Sequence, residues 1–349
     1  MKISVIMPVY NCENYIEAAV KSVLGGGVED IELIAIDDCS GDRSWEILSS
    51  LADQDSRIRA YRHKQNTGVS AVRNEALALA SGEYVAFCDS DDTVAPGGYS
   101  ALLGAIGDSD IAVGAYEDLT DTGHTTPCPI NQAAKASPFL TLFAVCCLWT
   151  KLIRREFIVK NRLSFDQSVH IGEDVIFLAN VAACHPTVKH TDECVYSHIY
   201  HDLAPSASLT HIYTRAAFSE HIACRKRLLS ICAEAGIDEC PKYVFEYFSG
   251  DLDKYLFMIN DRSERADAYR EYLELLDMYD WTSRAELFRA IHGVYFSDMK
   301  EMTVEQYEAR VASLTPRERV EAEFNAGIIG MRWILRYIKG WLKFKIKRH

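Results

Sequence analysis

The chain has 349 residues, 48% of them apolar, and it carries 37 basic against 50 acidic side chains, a net charge of −13. This length predicts about two domains with a sizeable apolar core. An acidic surface repels the phosphates of nucleic acids, so we expect no nucleic-acid partner.

Membrane-spanning and disulfide-bonded classes are also disfavoured. No run approaches the ~20 apolar residues that cross a bilayer, and the chain enters a predicted strand without a signal peptide. The 11 cysteines lie mostly inside apolar segments and form no C-x-x-C pair. This pattern favours a reducing compartment over a disulfide framework or a structural zinc site, so we expect a cytoplasmic protein.

Short apolar runs alternate with helical patterns over the first quarter of the chain. Strands are predicted at residues 3–7, 31–36, 58–61 and 84–88. Helices are predicted at residues 14–24, from the N-cap residues at 40–42 to Leu51, and at residues 71–80. This β-α-β-α-β-α-β order is typical of a parallel sheet with right-handed crossovers.

Polar residues follow three of these strands directly. They are Asn11, the pair Asp37 and Asp38, and the segment 89–92, which reads Asp-Ser-Asp-Asp. Three carboxylates within four residues repel one another, and a divalent cation with hard oxygen ligands relieves that repulsion. Taken alone, residues 89–92 are more typical of a solvated acidic turn. Because ligands bind at the carboxyl ends of parallel strands, the convergence of all these residues favours a binding site.

The pattern becomes helical after Leu209, and the last 23 residues differ from the rest. Residues 327–349 contain seven Lys or Arg and no Asp or Glu. On a helix, five of these cations share one narrow face, opposite a face that carries Trp341 and Leu342. Such a helix binds an anionic membrane surface. The alternative is a terminal helix packed on the acidic body of the protein.

Five segments in this order and spacing resemble the family 2 glycosyltransferases of GT-A fold. They are residues 8–11 (Pro-Val-Tyr-Asn), 37–42 (Asp-Asp-Cys-Ser-Gly-Asp), 66–74 (Asn-Thr-Gly-Val-Ser-Ala-Val-Arg-Asn), 89–92, and 172–177 (Gly-Glu-Asp-Val-Ile-Phe). The resemblance implies an α/β, Rossmann-like nucleotide-binding domain with a mostly parallel central sheet, followed by a smaller all-α domain. One departure is Cys39, where the family usually has glycine.

The resemblance also implies domain boundaries. The GT-A domain covers roughly residues 1–210, with nucleotide-sugar binding in residues 1–110 and the acceptor side in residues 111–210. A helical domain at residues 211–326 and the basic amphipathic helix at residues 327–349 complete the predicted chain. Through that helix we expect peripheral association with the inner face of the plasma membrane.

Site roles follow from the same resemblance. Asp174 is the expected general base, and its place at the start of a predicted helix favours its charged form. Asp91 is the expected ligand of Mn²⁺ or Mg²⁺. Nucleotide-sugar contacts are expected from Pro8, Tyr10, Asn11, Asp37, Asp38, Asn66, Arg73, Asp89 and Ser90. Acceptor or diphosphate contacts are considered for Glu173, Trp149, Lys151 and His198. The last of these begins a segment, 198–211, that resembles a mobile loop.

These roles predict an inverting, metal-dependent glycosyltransferase. It moves a sugar from a nucleotide-diphosphate sugar, with UDP as the favoured nucleotide, to a hydroxyl of a glycan or lipid-linked acceptor in cell-surface polysaccharide synthesis. A non-catalytic nucleotide-sugar-binding subunit that docks a partner at the membrane is the alternative. A nucleotidyltransferase is disfavoured because no Gly-rich loop follows the first strand. The oligomeric state stays open, a homo-oligomer included.

Overall fold

The computed structural model describes residues 2–120, 122–130, 134–143, 147–200, 214–247, 250–282, 285–292 and 296–314. The chain divides into two compact units. The first combines Met1–Ile212 with Arg227–Cys240, and the second combines Tyr213–Lys226 with the residues from Pro241 onwards.

The first unit opens with the alternating strands and helices that the sequence predicts. They are β1 (Ile3–Val9), α1 (Ile16–Leu24), β2 (Ile31–Asp37), α2 (Ser44–Gln54), β3 (Ile58–Arg62), α3 (Val69–Leu79) and β4 (Tyr84–Phe87). The four strands lie in the order β3-β2-β1-β4 and all pair in parallel. The carboxyl ends of β1, β2 and β4 therefore meet at one edge of the sheet.

Burial explains why these residues form these elements. Every residue of β2 is buried, as expected for a parallel strand covered on both faces. The apolar face of α1 consists of Ile16, Ala19, Val20 and Val23, and all four are fully buried. Gly82 ends the turn before β4, where a Cβ atom would lie 2.7 Å from the backbone nitrogen of Ser4. Only glycine allows that close approach.

The second half of this unit turns the sheet into a mixed one. Its elements are β5 (Thr93–Val94), α4 (Gly98–Ile106), β6 (Ile111–Thr120), β7 (Thr125–Cys128), α5 (Pro138–Leu142), β8 (Lys151–Arg154), α6 (Arg155–Lys160), α7 (Glu173–Ala183) and β9 (Val188–Tyr200). The sheet order continues from β4 through β8, β6 and β9 to β5, with β7 beside β6. Among the described strands of this half, only β6 and β9 pair in parallel. The predicted α/β class is correct, and the described strands pair in parallel in two parts of the sheet, β3-β2-β1-β4 and β6-β9.

Strand β9 corrects one expectation. The sequence predicts a mobile loop from His198 onwards, yet β9 continues to Tyr200 and places His198 opposite Asp118 of β6. The strand forms because Val195 and Tyr196 are buried in the core while β6 supplies a long parallel partner. The rest of the predicted loop, including His201 and His211, lies outside the described residues.

Every described regular element after residue 214 is helical. The bounds are α8 (Arg215–Glu234), α9 (Cys240–Lys242), α10 (Gly250–Phe257), α11 (Arg262–Leu276), α12 (Ala285–His292), α13 (Phe296–Glu301) and α14 (Val304–Ser313), with a π-helical turn at Tyr243–Tyr247. None of the described helices has the length and apolarity needed to cross a bilayer. The predicted basic helix at 327–349 lies outside the described residues.

Candidate active site

The loops after β1 and β2 are bound to each other at the carboxyl edge of the sheet. The Asn11 side-chain oxygen accepts a hydrogen bond from the Gly41 nitrogen at 2.8 Å, and the Asn11 nitrogen donates to Ser40 Oγ at 3.0 Å. Asn11 and Cys39 both have positive φ, +48° and +65°. Cys39 therefore keeps the left-handed turn that glycine adopts freely, at a cost on the order of 1 kcal/mol.

Pro8 sits in β1 where a proline costs little. The β1–β4 pairing ends at the pair Ile6 and Phe87, so no ladder bond on that side needs a donor from residue 8. Val9 ends β1, and Tyr10 leads the chain out of the sheet. Tyr10 is 54% exposed, which is unusual for an aromatic side chain in this protein. Its ring is free to stack on a flat ligand at this edge.

Asp38 binds the loop that precedes α3. Its carboxylate accepts hydrogen bonds from the backbone nitrogens of Thr67 and Gly68, both at 2.8 Å, and pairs with His63 Nδ1 at 2.8 Å. Burial raises the pKa of Asp38, but these hydrogen bonds outweigh it and the net pKa is lowered. Asn66 joins the same loop by donating to the Asp38 carbonyl at 3.3 Å.

Asp37 is enclosed more completely, with 0% of its side chain exposed. One carboxylate oxygen accepts from the Ser40 nitrogen and pairs with Arg62 Nε, each at 3.2 Å, while Oδ1 has no hydrogen-bond partner among the described residues. In this conformation Asp37 and Asp38 hold the protein's own loops. Both side chains are buried, so neither carboxylate is available in this structure for the predicted contact with a nucleotide sugar.

The acidic segment after β4 is anchored through Asp92. Asp92 Oδ1 accepts from the Ile199 nitrogen at 2.6 Å, and Oδ2 accepts from the Tyr196 hydroxyl at 3.0 Å. That hydroxyl in turn accepts from the Asp89 nitrogen at 3.0 Å. Burial, with Asp89 and then Asp91 close by, raises the pKa of Asp92 well above its ordinary value. Asp92 therefore fixes this segment to β9.

The two residues between these anchors face different surroundings. Ser90 is buried, so its side chain presents little surface for the expected contact with a nucleotide sugar in this structure. Asp91 is partly exposed, and about a third of the Asp89 side chain is exposed. In this segment Asp89 and Asp91 keep exposed surface that a ligand can contact, whereas Ser90 and Asp92 are buried.

Tyr196 is a functional residue that sequence reasoning missed, because an aromatic residue in an alternating strand pattern predicts only core packing.

Tyr196→Phe removes the hydroxyl that joins Asp89 to Asp92. We expect a loss of about 1–3 kcal/mol in the free energy of unfolding together with lower turnover, measured by denaturant unfolding and initial rates. Tyr99→Phe is the matched control, since the buried Tyr99 hydroxyl has no partner among the described residues. Equal effects of the two changes would contradict the anchoring role.

Asp174 and Glu173 form the first turn of α7, where the helix dipole favours negative charge. Gly172 precedes them with φ +81°, a conformation that suits glycine. Arg73 of α3 donates from Nη1 to Glu173 Oε1 at 2.8 Å and to Asp174 Oδ1 at 2.6 Å. Its Nη2 donates to Asp89 Oδ1 at 3.3 Å. One guanidinium thus joins the acidic segment after β4 to the expected general base.

An aromatic stack lies beside this cluster. Trp149 stacks on Tyr196, with ring centroids 4.5 Å apart, and on His198, with centroids 5.8 Å apart. Trp149 is itself buried, whereas His198 is partly exposed and pairs through Nδ1 with Asp118 Oδ1 at 2.9 Å. His198 is the member of the stack that can touch a substrate.

Lys151 corrects another expectation. Its side chain is 0% exposed, and Nζ donates to the Cys147 carbonyl at 2.6 Å and to Thr150 Oγ1 at 3.2 Å. Lys151 belongs to β8, which lies between β4 and β6 in the sheet, so neither a diphosphate nor an acceptor can reach its ammonium group. The predicted contact through Lys151 is wrong.

The oxygen ligands of the acidic segment fit a divalent cation. No group of three or more His, Cys, Asp or Glu side chains with metal-site geometry occurs in the described part of the chain. Mg²⁺ commonly binds through one or two carboxylates and completes its shell with water and substrate phosphates. Asp91 and the neighbouring Asp89 carry carboxylates of this kind with exposed surface.

Comparison with known proteins identifies the family. Residues 4–159 match the family model described as glycosyl transferase family 2. This region belongs to that family. The sequence-based assignment is therefore confirmed, and it covers the carboxyl ends of β1, β2 and β4 and the Asp-Ser-Asp-Asp segment.

Curated relatives share this region and extend beyond it. The uncharacterized glycosyltransferase EpsJ of Bacillus subtilis is 32% identical over 233 residues, which cover 63% of this chain and 66% of EpsJ. The minor teichoic acid biosynthesis protein GgaB of the same organism is 27% identical over 79% of this chain and 31% of GgaB. This chain thus spans two thirds or less of these relatives.

A solved structure confirms the predicted fold. The crystal structure of S. aureus TarS residues 1–349 in complex with UDP-GlcNAc superposes with a TM-score of 0.67, covering 90% of this chain and 91% of TarS 1–349. The two sequences are 18% identical, so this likeness is one of fold. It extends over the GT-A domain and the helical region that follows.

Proposed function

We propose that this protein is an inverting glycosyltransferase that moves a sugar from a nucleotide-diphosphate sugar to a hydroxyl of a glycan or lipid-linked acceptor. The observation that carries the proposal is the Arg73 cluster, which brings Asp89 of the acidic segment and Asp174 of α7 to one guanidinium. A subunit that only binds a nucleotide sugar has no use for a carboxylate placed as a base. The names of relatives such as GgaB support a place in cell-surface polysaccharide synthesis.

The donor is proposed to lie along the carboxyl edge of the sheet. Tyr10 stacks on the nucleotide base, Asn11 and Asn66 contribute polar contacts beside it, and Asp89 contacts the ribose. Asp37 and Asp38 act indirectly in this scheme, because they hold the loops that carry these contacts. A UDP-sugar is the favoured donor, supported by the UDP-GlcNAc complex of TarS, which shares the fold.

Transfer is a single displacement at the anomeric carbon. The acceptor oxygen forms the new glycosidic bond while the bond from the anomeric carbon to the diphosphate breaks, and its electron pair leaves with the nucleoside diphosphate. Asp174 accepts the proton of the acceptor hydroxyl at its carboxylate. One displacement from the opposite face inverts the anomeric centre. Glu173 and His198 line the proposed acceptor side.

Asp91 is the proposed ligand of a divalent cation, Mn²⁺ or Mg²⁺. When bound, such an ion supplies positive charge that stabilises the departing diphosphate. Asp89 lies two positions away and is also exposed enough to take part, whereas both carboxylate oxygens of Asp92 are engaged by β9.

A panel of nucleotide sugars tests the proposal. Thermal stabilisation and donor hydrolysis are measured for each sugar with Mn²⁺ or Mg²⁺, and the anomeric configuration of any product is determined. We expect one or a few UDP-sugars to stabilise the protein and to be turned over with inversion. Stabilisation without hydrolysis or transfer would favour the alternative, a nucleotide-sugar-binding subunit. A product with retained configuration would overturn the mechanism.

Peripheral attachment to the cytoplasmic face of the membrane is proposed for residues 327–349. Removing these residues deletes seven cations and no anion, and each cation near an anionic surface contributes on the order of 1 kcal/mol. We expect full-length protein, but not the truncated form, to co-sediment with vesicles that contain anionic lipid, and to be released as salt rises. Equal sedimentation of both forms would contradict the proposal.

A further inference from the structure

The Arg73 side chain is buried, and it is held by packing as well as by ion pairs. Its side chain is 5% exposed, and its guanidinium carbon lies 5.4 Å from the centre of the Phe165 ring. Phe165 stacks on Phe177 with ring centroids 4.2 Å apart. The neighbouring Asn74 binds the Phe165 backbone twice, by donating to its carbonyl at 2.8 Å and accepting from its nitrogen at 2.7 Å. The guanidinium therefore packs on an aromatic ring, Phe165, whose own position is fixed by its neighbours.

Arg73 places one positive charge among three carboxylates. The charged groups that surround its guanidinium are Asp174 and Glu173 from the start of α7 and Asp89 from the segment after β4. Burial lowers the pKa of Arg73, but Asp174, Asp89 and Glu173 outweigh it and the net pKa is raised, so Arg73 stays charged. Without that cation, the neighbouring Glu173 carboxylate would disfavour the charged form of Asp174.

We propose that Arg73 is a positioning residue that keeps the Asp174 carboxylate ionised and in place as the general base. This inference rests on the proposed function, in which Asp174 receives the proton of the acceptor hydroxyl. Arg73 touches neither the reacting carbon nor that proton. It acts through Asp174, whereas the sequence suggested a contact with the nucleotide sugar.

The geometry also explains why the residue is an arginine. Nη1 binds both carboxylates of α7 while Nη2 reaches Asp89, so a planar fork with fixed spacing connects the two sides of the site. A lysine carries the same charge on a single nitrogen and cannot span both sides in this way. Arg73→Lys should therefore restore the charge effect on Asp174 without restoring its full alignment.

The test measures kcat/KM for the acceptor against pH, with donor and metal ion saturating. Arg73→Gln should move the acidic limb of the profile upwards by about 1–3 pH units, the usual effect of an adjacent cation on a carboxyl pKa. Glu173→Gln removes a negative neighbour, so the limb should move downwards. Arg73→Lys should return the limb close to its wild-type position while kcat stays reduced.

Arg59→Gln is the matched control. Arg59 pairs with Glu32 at 2.8 Å in the same sheet, and Glu32 lies near the start of β2, away from the carboxyl edge. This change should leave the acidic limb unmoved even where it lowers stability. This control separates the effect of losing an unrelated arginine–carboxylate pair from the effect of losing the pair of Arg73 and Asp174.

An Arg73→Gln profile that falls equally at every pH, with its acidic limb unmoved, would overturn the inference and leave Arg73 with a structural or donor-binding role. If this variant does not fold, Glu173→Gln decides alone: a limb that stays in place or moves upwards would also overturn it. Failure of the proposed function looks different, since wild-type protein would then transfer no sugar at any pH.

Discussion

Asp174→Asn is expected to reduce transfer by a factor on the order of 10²–10⁴, the usual contribution of a general base. The change keeps the shape of the side chain and removes the atom that accepts the acceptor's proton. Donor affinity should stay close to that of the wild type, because the base faces the acceptor hydroxyl rather than the nucleotide. Initial rates with saturating donor and acceptor, together with donor binding by calorimetry, measure both quantities.

A small structural cost accompanies this change and can be measured separately. A carboxylate in the first turn of a helix contributes about 0.3–1 kcal/mol through the helix dipole. Asp298 occupies the same kind of position in the first turn of α13. Asp298→Asn should therefore show the helix-dipole part of this loss with full transfer activity, while Asp174→Asn also loses its ion pair with Arg73. If Asp174→Asn loses donor affinity and turnover in equal measure, Asp174 has a structural role instead.

The sequence predicted the first half of the GT-A unit well because each element there carries a local signal. Strands β1, β2 and β4 are short apolar runs, and α1 buries the apolar face that its 3.6-residue period predicts. Parallel pairing follows from the alternation of strands and helices. The positions of Asn11, Asp38 and Asp89 at the carboxyl edge follow from that pairing.

The second half of the unit lacks such signals. Strand β8 has four residues, and its antiparallel partners β4 and β6 are distant in sequence, so only tertiary packing determines where it lies. The same packing buries Lys151, which the sequence presents as an ordinary basic residue. His198 was misplaced for a related reason, because the polar residues that follow it obscure a strand whose partner is β6.

Pairings within the site were the least predictable feature. Arg73 and Asp174 are 101 positions apart, and Tyr196 and Asp92 are 104 apart. No periodicity in the sequence links such residues, since the contact depends on how α3, α7 and β9 pack around β4. Motif order identified the acids, and the structure shows which of them bind the protein's own loops and which keep exposed surface.

The neighbouring acids Asp91 and Asp92 provide a second test, because the structure gives them opposite surroundings. Asp92 accepts hydrogen bonds on both oxygens, from Ile199 and Tyr196, whereas Asp91 is partly exposed beside Asp89. Asp92→Asn places an amide nitrogen where a donor already points, so we expect lower stability with an unchanged dependence of activity on metal concentration. Denaturant unfolding and metal titration of the rate separate these two effects.

Asp91→Asn should instead lower turnover by a factor on the order of 10²–10³, as expected when one charged stabiliser of a leaving group is removed. Because the change removes a ligand charge, the Mn²⁺ concentration needed for half-maximal activity should rise. The metal-dependent part of the thermal stabilisation by UDP should fall in parallel, a readout that does not depend on turnover. The exposed Asp53→Asn serves as a control for the loss of one surface carboxylate. Undiminished transfer by Asp91→Asn, or by wild-type protein in excess chelator, would rule out the proposed metal role of Asp91.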